Sequence, residues 1–329
     1  MIINHKINKL IILFIVVLIV CYTSLMFGFT YYSITDVIQT LIYKKDINGS
    51  YFAIFDIRIP RMLMGILCGS MFALSSSLLQ SVFKNPMVSS ETLGINSASA
   101  LFVLIGVSLF GKYGEYSILC YSLIGAALGF IITLFSSFSN RRILHIRLII
   151  VGIAIGTFFK SASQFIMTFQ DEKLTSFVSF LNGTLYSSTL ENVSSIAIPS
   201  IVAIIITFFC IKKIDLLQLS EDVATSIGFN VTCWKIIIIF IGLLLTAIAV
   251  SGVGSLGFIG LISPNIARLI FGYSNKYTLL ASSFVGIILT ISADIIGRTI
   301  FIPYEIAPGI ISIIIGAPYF LYIMQKLRY

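Results

Sequence analysis

Asp215-Leu-Leu-Gln-Leu-Ser220-Glu221-Asp222-Val-Ala224-Thr-Ser-Ile-Gly228-Phe-Asn230-Val-Thr-Cys-Trp-Lys235 interrupts a chain that otherwise alternates long apolar runs with brief polar breaks. Local rules predict a small helix inside it. Ser220 is a suitable N-cap, and Glu221 and Asp222 fall in the first turn, where carboxylates suit the positive end of the helix dipole. Gly228 is placed to end the helix in a left-handed cap, with Asn230 and Thr232 following in a loop. Val223, Ala224 and Ile227 share one face by helical spacing. A helix of about eight residues does not hold alone and needs a surface to lie on. That surface is either the rest of this chain or a partner.

Composition makes the chain an integral membrane protein. Of 329 residues, 58% are hydrophobic and only 10% charged, against about 25% charged in soluble domains, and the mean hydropathy is +1.05. Apolar runs near the length of a membrane crossing recur throughout, so the spans are helices rather than short alternating strands. About ten are predicted, at roughly 8–29, 62–82, 92–111, 116–138, 147–169, 194–212, 234–252, 256–271, 277–296 and 306–325. No second domain is visible: residues 1–329 read as one transmembrane unit, with 215–235 as its main inner segment.

Ten spans put both ends on one side. Lys6, Lys9, Lys84, Arg141, Arg142, Arg147, Lys212, Lys213, Lys235, Arg268, Lys276, Lys326 and Arg328 gather on the side of the termini. The opposite side has fewer cations and most of the acids, so both termini and the 215–235 helix are expected in the cytoplasm. The formal charge of +8 is therefore an orientation signal and not a nucleic-acid surface, because no basic run with interleaved aromatics occurs.

Several breaks carry special residues. On the outer side, Arg58 and Arg61 flank Pro60, which is well placed to start the second span, and residues 170–193 form a loop expected at the outer mouth. Asp294 and Arg298 are one turn apart near the outer end of the ninth span, which allows an intrahelical pair. On the inner side, Asn85-Pro86-Met87 follows the second span. Four glycines and Pro264 between Gly252 and Asn265 permit close helix packing or a break. Lys160 is the one charge deep inside a span. With Gly152, Gly156, Gln164 and Met167 it makes a stripe of small and polar residues, expected to face the bundle or a wet pathway.

The chain has no phosphate loop, no zinc-hydrolase motif, and only His5 and His145. Its five cysteines are scattered, without metal-ligand or redox spacing. It reads as a non-enzyme, and if ATP drives its work another chain hydrolyses it.

In order along the chain stand Asp56-x-Arg58-x-Pro60-Arg61, Gln80, Asn85-Pro86 and Leu93-Gly94-Ile95-Asn96-Ser97-Ala98-Ser99-Ala100. After them come Glu221-x-x-Ala224-x-x-x-Gly228-Phe-Asn230, Gly257-Phe-Ile-Gly260-Leu-Ile-Ser263-Pro264-Asn265-Ile-Ala-Arg268, Ala293-Asp294, Arg298 and Glu305-Ile-Ala-Pro308-Gly309. Last is Ile315-Gly316-Ala317-Pro318-Tyr-Phe320. Together these resemble the FecCD-type permeases of ABC importers, which take up iron–siderophores, haem and cobalamin. Ser263, Asn265 and the segment Arg142-Ile-Leu-His145-Ile-Arg147 depart from the usual pattern. The resemblance implies an all-α, cobalamin-importer-permease-like (type II) architecture in a bacterial cytoplasmic membrane. It implies pairing with a second copy or a paralogue, two ATPase subunits inside that carry ATP and Mg, and an extracytoplasmic solute-binding protein outside. No cofactor is expected on this chain. Glu221, Asp222, Ala224 and Gly228 would dock the ATPase, and Arg58, Arg61 and Arg298 the binding protein. Asn85, Pro86, Met87 and His145 would form an inner gate, and Gly156, Lys160 and Gln164 would line the pathway. The cargo would be a ferric siderophore, with haem or cobalamin as alternatives. A secondary transporter would instead need acids buried in mid-span, whereas Asp294 and Glu305 fall near span ends.

Overall fold

The computed structural model describes residues 2–44, 46, 49–111, 114–139, 142–143, 145–169, 180–272 and 275–326. Helices α1 (Ile2–Met26), α2 (Ile34–Tyr43) and α3 (Ser50–Phe83) are followed by α4 (Ile95–Phe110), α5 (Glu115–Ser137) and α6 (His145–Thr168). Then come α7 (Leu190–Phe209), α8 (Ile211–Leu217), α9 (Glu221–Ser226), α10 (Val231–Val253), α11 (Ile259–Phe271), α12 (Asn275–Thr299) and α13 (Pro308–Lys326). A two-residue antiparallel ribbon pairs Phe138–Ser139 with Arg142–Ile143 between α5 and α6. Each expected span contains a helix. Seven of these are long and apolar enough to cross a membrane, and α4, α11 and the apolar part of α13 are shorter.

α3 is the central helix, with α10, α11 and α12 packed around it. Most of its length is buried, whereas α1, α5, α6 and α7 leave broad apolar faces outward. Such faces suit lipid, where a water-facing helix would carry charge. Small residues let the central helices meet at backbone distance. A Cβ at Gly286 would overlap the Gly69 carbonyl, and one at Gly260 would overlap the Ser76 hydroxyl.

Three features differ from the sequence expectation. α3 begins at Ser50 rather than near 62, because residues Ala53–Arg58 form a π-helical stretch that runs straight into Ile59. Pro60 has no N–H, and its ring crowds the carbonyl four residues back. The wider turn accommodates both, so the proline lies inside a continuous helix of 34 residues. α2 is an additional helix, closed by a Ser33–Asp36 capping box.

The third is the outer loop. Its described part, 180–189, does not stay at the surface. The Thr184 N–H donates to the Val253 carbonyl (2.9 Å) and the Gly309 N–H to the Gly183 carbonyl (3.1 Å), while Leu185 is fully buried. Gly254, at φ +73°, lies so close to Phe180 that a Cβ would collide with its carbonyl. The loop thereby fills the break between α10 and α11.

Candidate docking sites and pathway

On the inner side, α9 is a single exposed turn and a half. Glu221 and Asp222 open it, and Gly228 closes the segment at φ +76°, where only glycine is relaxed. The base under it is solid. Ile214 and Leu217 are buried in the main core, Asn230 caps α10 by accepting from the Cys233 N–H (3.0 Å), and the Lys84 ammonium donates to the Leu219 carbonyl (2.7 Å). Phe229 stacks on Trp234 (6.2 Å between centroids), with the Lys213 ammonium 5.0 Å from the Trp234 ring. Lys235 bonds Glu221, and that hydrogen bond holds the Glu221 carboxyl below the usual carboxylate range.

The outward face of α9 is not the one expected. Ala224 is 1% exposed and belongs to the chain's own core, whereas Val223 and Ile227 are 49% and 60% exposed. Val223 and Ile227 thus form the exposed face of α9, and Ala224 is the enclosed contact that seats the helix.

The outer arginines are also corrected. Arg58, Arg61 and Arg298 are 4%, 3% and 4% exposed. Arg58 donates to the Leu25 (2.6 Å) and Met26 (2.9 Å) carbonyls, the unsatisfied last turn of α1. Its guanidinium also lies 4.8 Å over the Tyr32 ring. Arg61 is bidentate to Glu305 (3.0 and 3.4 Å) and covered by Tyr186. Arg298 pairs with Asp294 one turn back (3.3 Å) and donates to the Ser24 carbonyl (3.0 Å) and hydroxyl (2.6 Å). The cluster fastens α1, α3, α12 and the 300–307 segment together. Guanidiniums so buried act as struts within the chain, although the Nε of Arg61 and of Arg298 is left without a hydrogen-bond partner.

The segment 84–94 enters the bundle from the inner side. The Asn85 side chain accepts from the Met87 N–H (2.9 Å), making a tight turn. The Pro86 carbonyl accepts from both Gln80 (2.9 Å) and Asn265 (3.0 Å), so the residue that departs from the family pattern at 265 acts as a clamp. The side chain of His145 lies outside the described residues, and its place beside this loop is not tested.

The expected pathway stripe divides in two. Gly152 and Gly156 are buried, and Gly156 abuts Gly94, where a Cβ would stand 3.2 Å from the Gly94 Cα. Gly156 is a packing residue and lines no open space. Lys160 and Gln164, further along the same helix, are exposed on the single chain. Glu91 is a residue that attracts no notice in the sequence. Glu91 accepts from the Phe258 N–H (2.5 Å). An acid five residues beyond Pro86, before the next apolar run, was the available signal. Among the described residues no cluster of metal-ligating side chains occurs.

These features agree with the comparisons to known proteins. The model of the FecCD transport family matches residues 15–326. The Fe(3+)-citrate import system permease protein YfmE of Bacillus subtilis is 32% identical over 96% of this chain and 94% of its own length. A probable siderophore transport system permease protein of the same organism, YfiZ, is 30% identical over 95% and 94%. A solved structure described as an inward-facing conformation of a putative metal-chelate type ABC transporter aligns over 98% of this chain and 99% of its own. It does so with a TM-score of 0.79 at 26% identity. The chain belongs to the FecCD transport family.

Proposed function

We propose that this chain is the membrane-spanning permease subunit of an ATP-driven importer that moves a ferric siderophore or similar anionic iron chelate inward. The observation that carries the reading is α9, a short exposed helix with Val223 and Ile227 outward, mounted on a buried base between two long apolar helices. A membrane protein gains nothing by holding two large aliphatic side chains in water unless a partner covers them. The partners are two ATPase subunits, which carry ATP and Mg, a second permease copy or paralogue, and an extracytoplasmic solute-binding protein. The ten expected spans cross or enter the bacterial cytoplasmic membrane, with both termini inside. Relatives named for ferric citrate and siderophore import support an iron chelate as cargo. Ion coupling fits poorly, because Asp294 and Glu305 are each tied to an arginine and Glu91 is engaged by the Phe258 N–H.

Co-purification of the ATPase with the tagged chain tests the docking helix. Val223→Arg and Ile227→Arg leave the chain folded and reduce the recovered ATPase at least tenfold. Full recovery from both variants would remove α9 from the interface. For the pathway, Lys160→Met keeps ATP hydrolysis and slows uptake of ⁵⁵Fe-citrate several-fold, because a cation beside the pathway draws in an anionic chelate. Unchanged uptake would return Lys160 to a purely structural role.

A further inference from the structure

Three segments meet inside the bundle: 84–94 from the inner side, 180–185 from the outer side, and the break 254–258 between α10 and α11. The first packs against α6 at Gly152 and Gly156. Gly156 is eleven residues past the start of α6, so at 1.5 Å per residue the contact lies about 17 Å along it. An ionisable side chain at such depth is costly unless it has partners and a task. Glu91 is that side chain. One carboxylate oxygen accepts from the N–H of Phe258, a residue held at φ +61°, where a bulky side chain is rarely found. The other lies so near Gly257 that a Cβ there would stand 2.7 Å from it. The Phe258 side chain is seated on Gly316 of α13, and its ring meets Phe320 edge-on (6.3 Å). On the same wall Asn96 donates to the Leu256 carbonyl (3.2 Å).

We propose that Glu91 is a positioning residue for transport: its carboxylate fastens the inner segment 84–94 to the helix break at 254–258, so that the two move as one wall against α6. A plain helix cap would steady α11 alone. A fastening of this kind also carries displacement of the inner segment into the break, and through Phe258 to α13. The transport part of the proposal rests on the importer reading above, while the fastening itself does not.

Hydrogen exchange on the full-length chain in lipid nanodiscs tests the fastening without cargo or partner. Glu91→Leu removes both oxygens. Gly257→Ala pushes the carboxylate aside from the opposite wall and covers the case in which Glu91→Leu fails to assemble. Glu91→Gln keeps an acceptor oxygen. We expect Glu91→Leu and Gly257→Ala to speed amide exchange at least tenfold in both 84–94 and 254–262, and Glu91→Gln to stay within threefold of the parent. Acceleration confined to 254–262, or none, overturns the fastening. In cells holding the intact importer, ⁵⁵Fe-citrate uptake should fall tenfold or more with Gly257→Ala and Glu91→Leu and recover to at least a third of the parent with Glu91→Gln. Parental uptake alongside accelerated exchange makes Glu91 a cap and overturns the positioning role. Absence of chain-dependent ⁵⁵Fe uptake in the parent itself counts against the cargo assignment, and the exchange data then decide the fastening alone.

Discussion

The arginine cluster and helix α9 look alike in sequence, each a polar break between apolar runs with two or three charges, and the fold treats them in opposite ways. At the outer cluster the charges turn inward. Arg58, Arg61 and Arg298 are buried and spend their donors on helix-end carbonyls and on Glu305 and Asp294. At the inner helix the charges stay in water and two aliphatic side chains are left out with them. The difference follows from what surrounds each site. Where helix ends converge, unsatisfied carbonyls at the negative end of the dipole need donors, and arginine offers five on a flexible apolar stem. A free-standing turn has few carbonyls to satisfy and one small inward position, which Ala224 fills.

The sharpest way to break the comparison is at Arg298. Removing one member of a buried ion pair leaves an uncompensated charge, at a cost of about 3–5 kcal/mol. Arg298→Ala should therefore lower the midpoint of thermal unfolding in detergent markedly or abolish recovery of folded chain. Arg298→Met combined with Asp294→Leu should restore most of it, since replacing both partners removes the stranded charge. A single variant as stable as the parent, yet unable to engage a binding protein, would reinstate the docking role for this arginine.

Ala224 sharpens the other half. It is fully enclosed, so Ala224→Leu overpacks the seat of α9 at a cost of about 1–3 kcal/mol. The expected result is faster proteolysis between 215 and 230 and loss of ATPase recovery together. Val223→Arg on the exposed face loses recovery with no change in proteolysis. Equal proteolysis in the two variants would mean that Ala224 does not seat the helix.

These outcomes bear on what the sequence could tell. Helix positions were legible because twenty apolar residues in a row admit one solution in a bilayer. The left-handed turn at Gly228 was legible because the chemistry is local. The start of α3 was not, since a proline normally opens a helix and the compensating π-helical turn leaves no local mark. Nor was the inward direction of the arginines: helical spacing places a residue on a face, and only the neighbouring helices decide whether that face is covered. The enclosure of Ala224 is unreadable for the same reason. Glu91 was passed over because its partner, a backbone N–H 167 positions away, belongs to tertiary structure alone.

The smallest effect is expected at Glu221 and Lys235, and it closes the comparison from the exposed side. The Lys235 hydrogen bond lowers the Glu221 carboxyl in the folded chain, while in the unfolded chain it returns to about 4.3. A depressed folded value means that the pair stabilises α9 fully above the unfolded value and loses that contribution as pH falls through the folded one. At 66% exposure of the Glu221 side chain, solvent and salt screen the pair, and its worth is below about 1 kcal/mol. Glu221→Gln should thus shift proteolytic protection of 215–230 by less than a factor of about five at pH 7. The difference from the parent should vanish as pH falls through the depressed folded value and shrink in 0.5 M salt. The Asp294–Arg298 pair, being buried, should keep its effect in that salt. A salt-insensitive Glu221 would mean that α9 is as enclosed as the outer cluster, and the contrast between the two regions would fail.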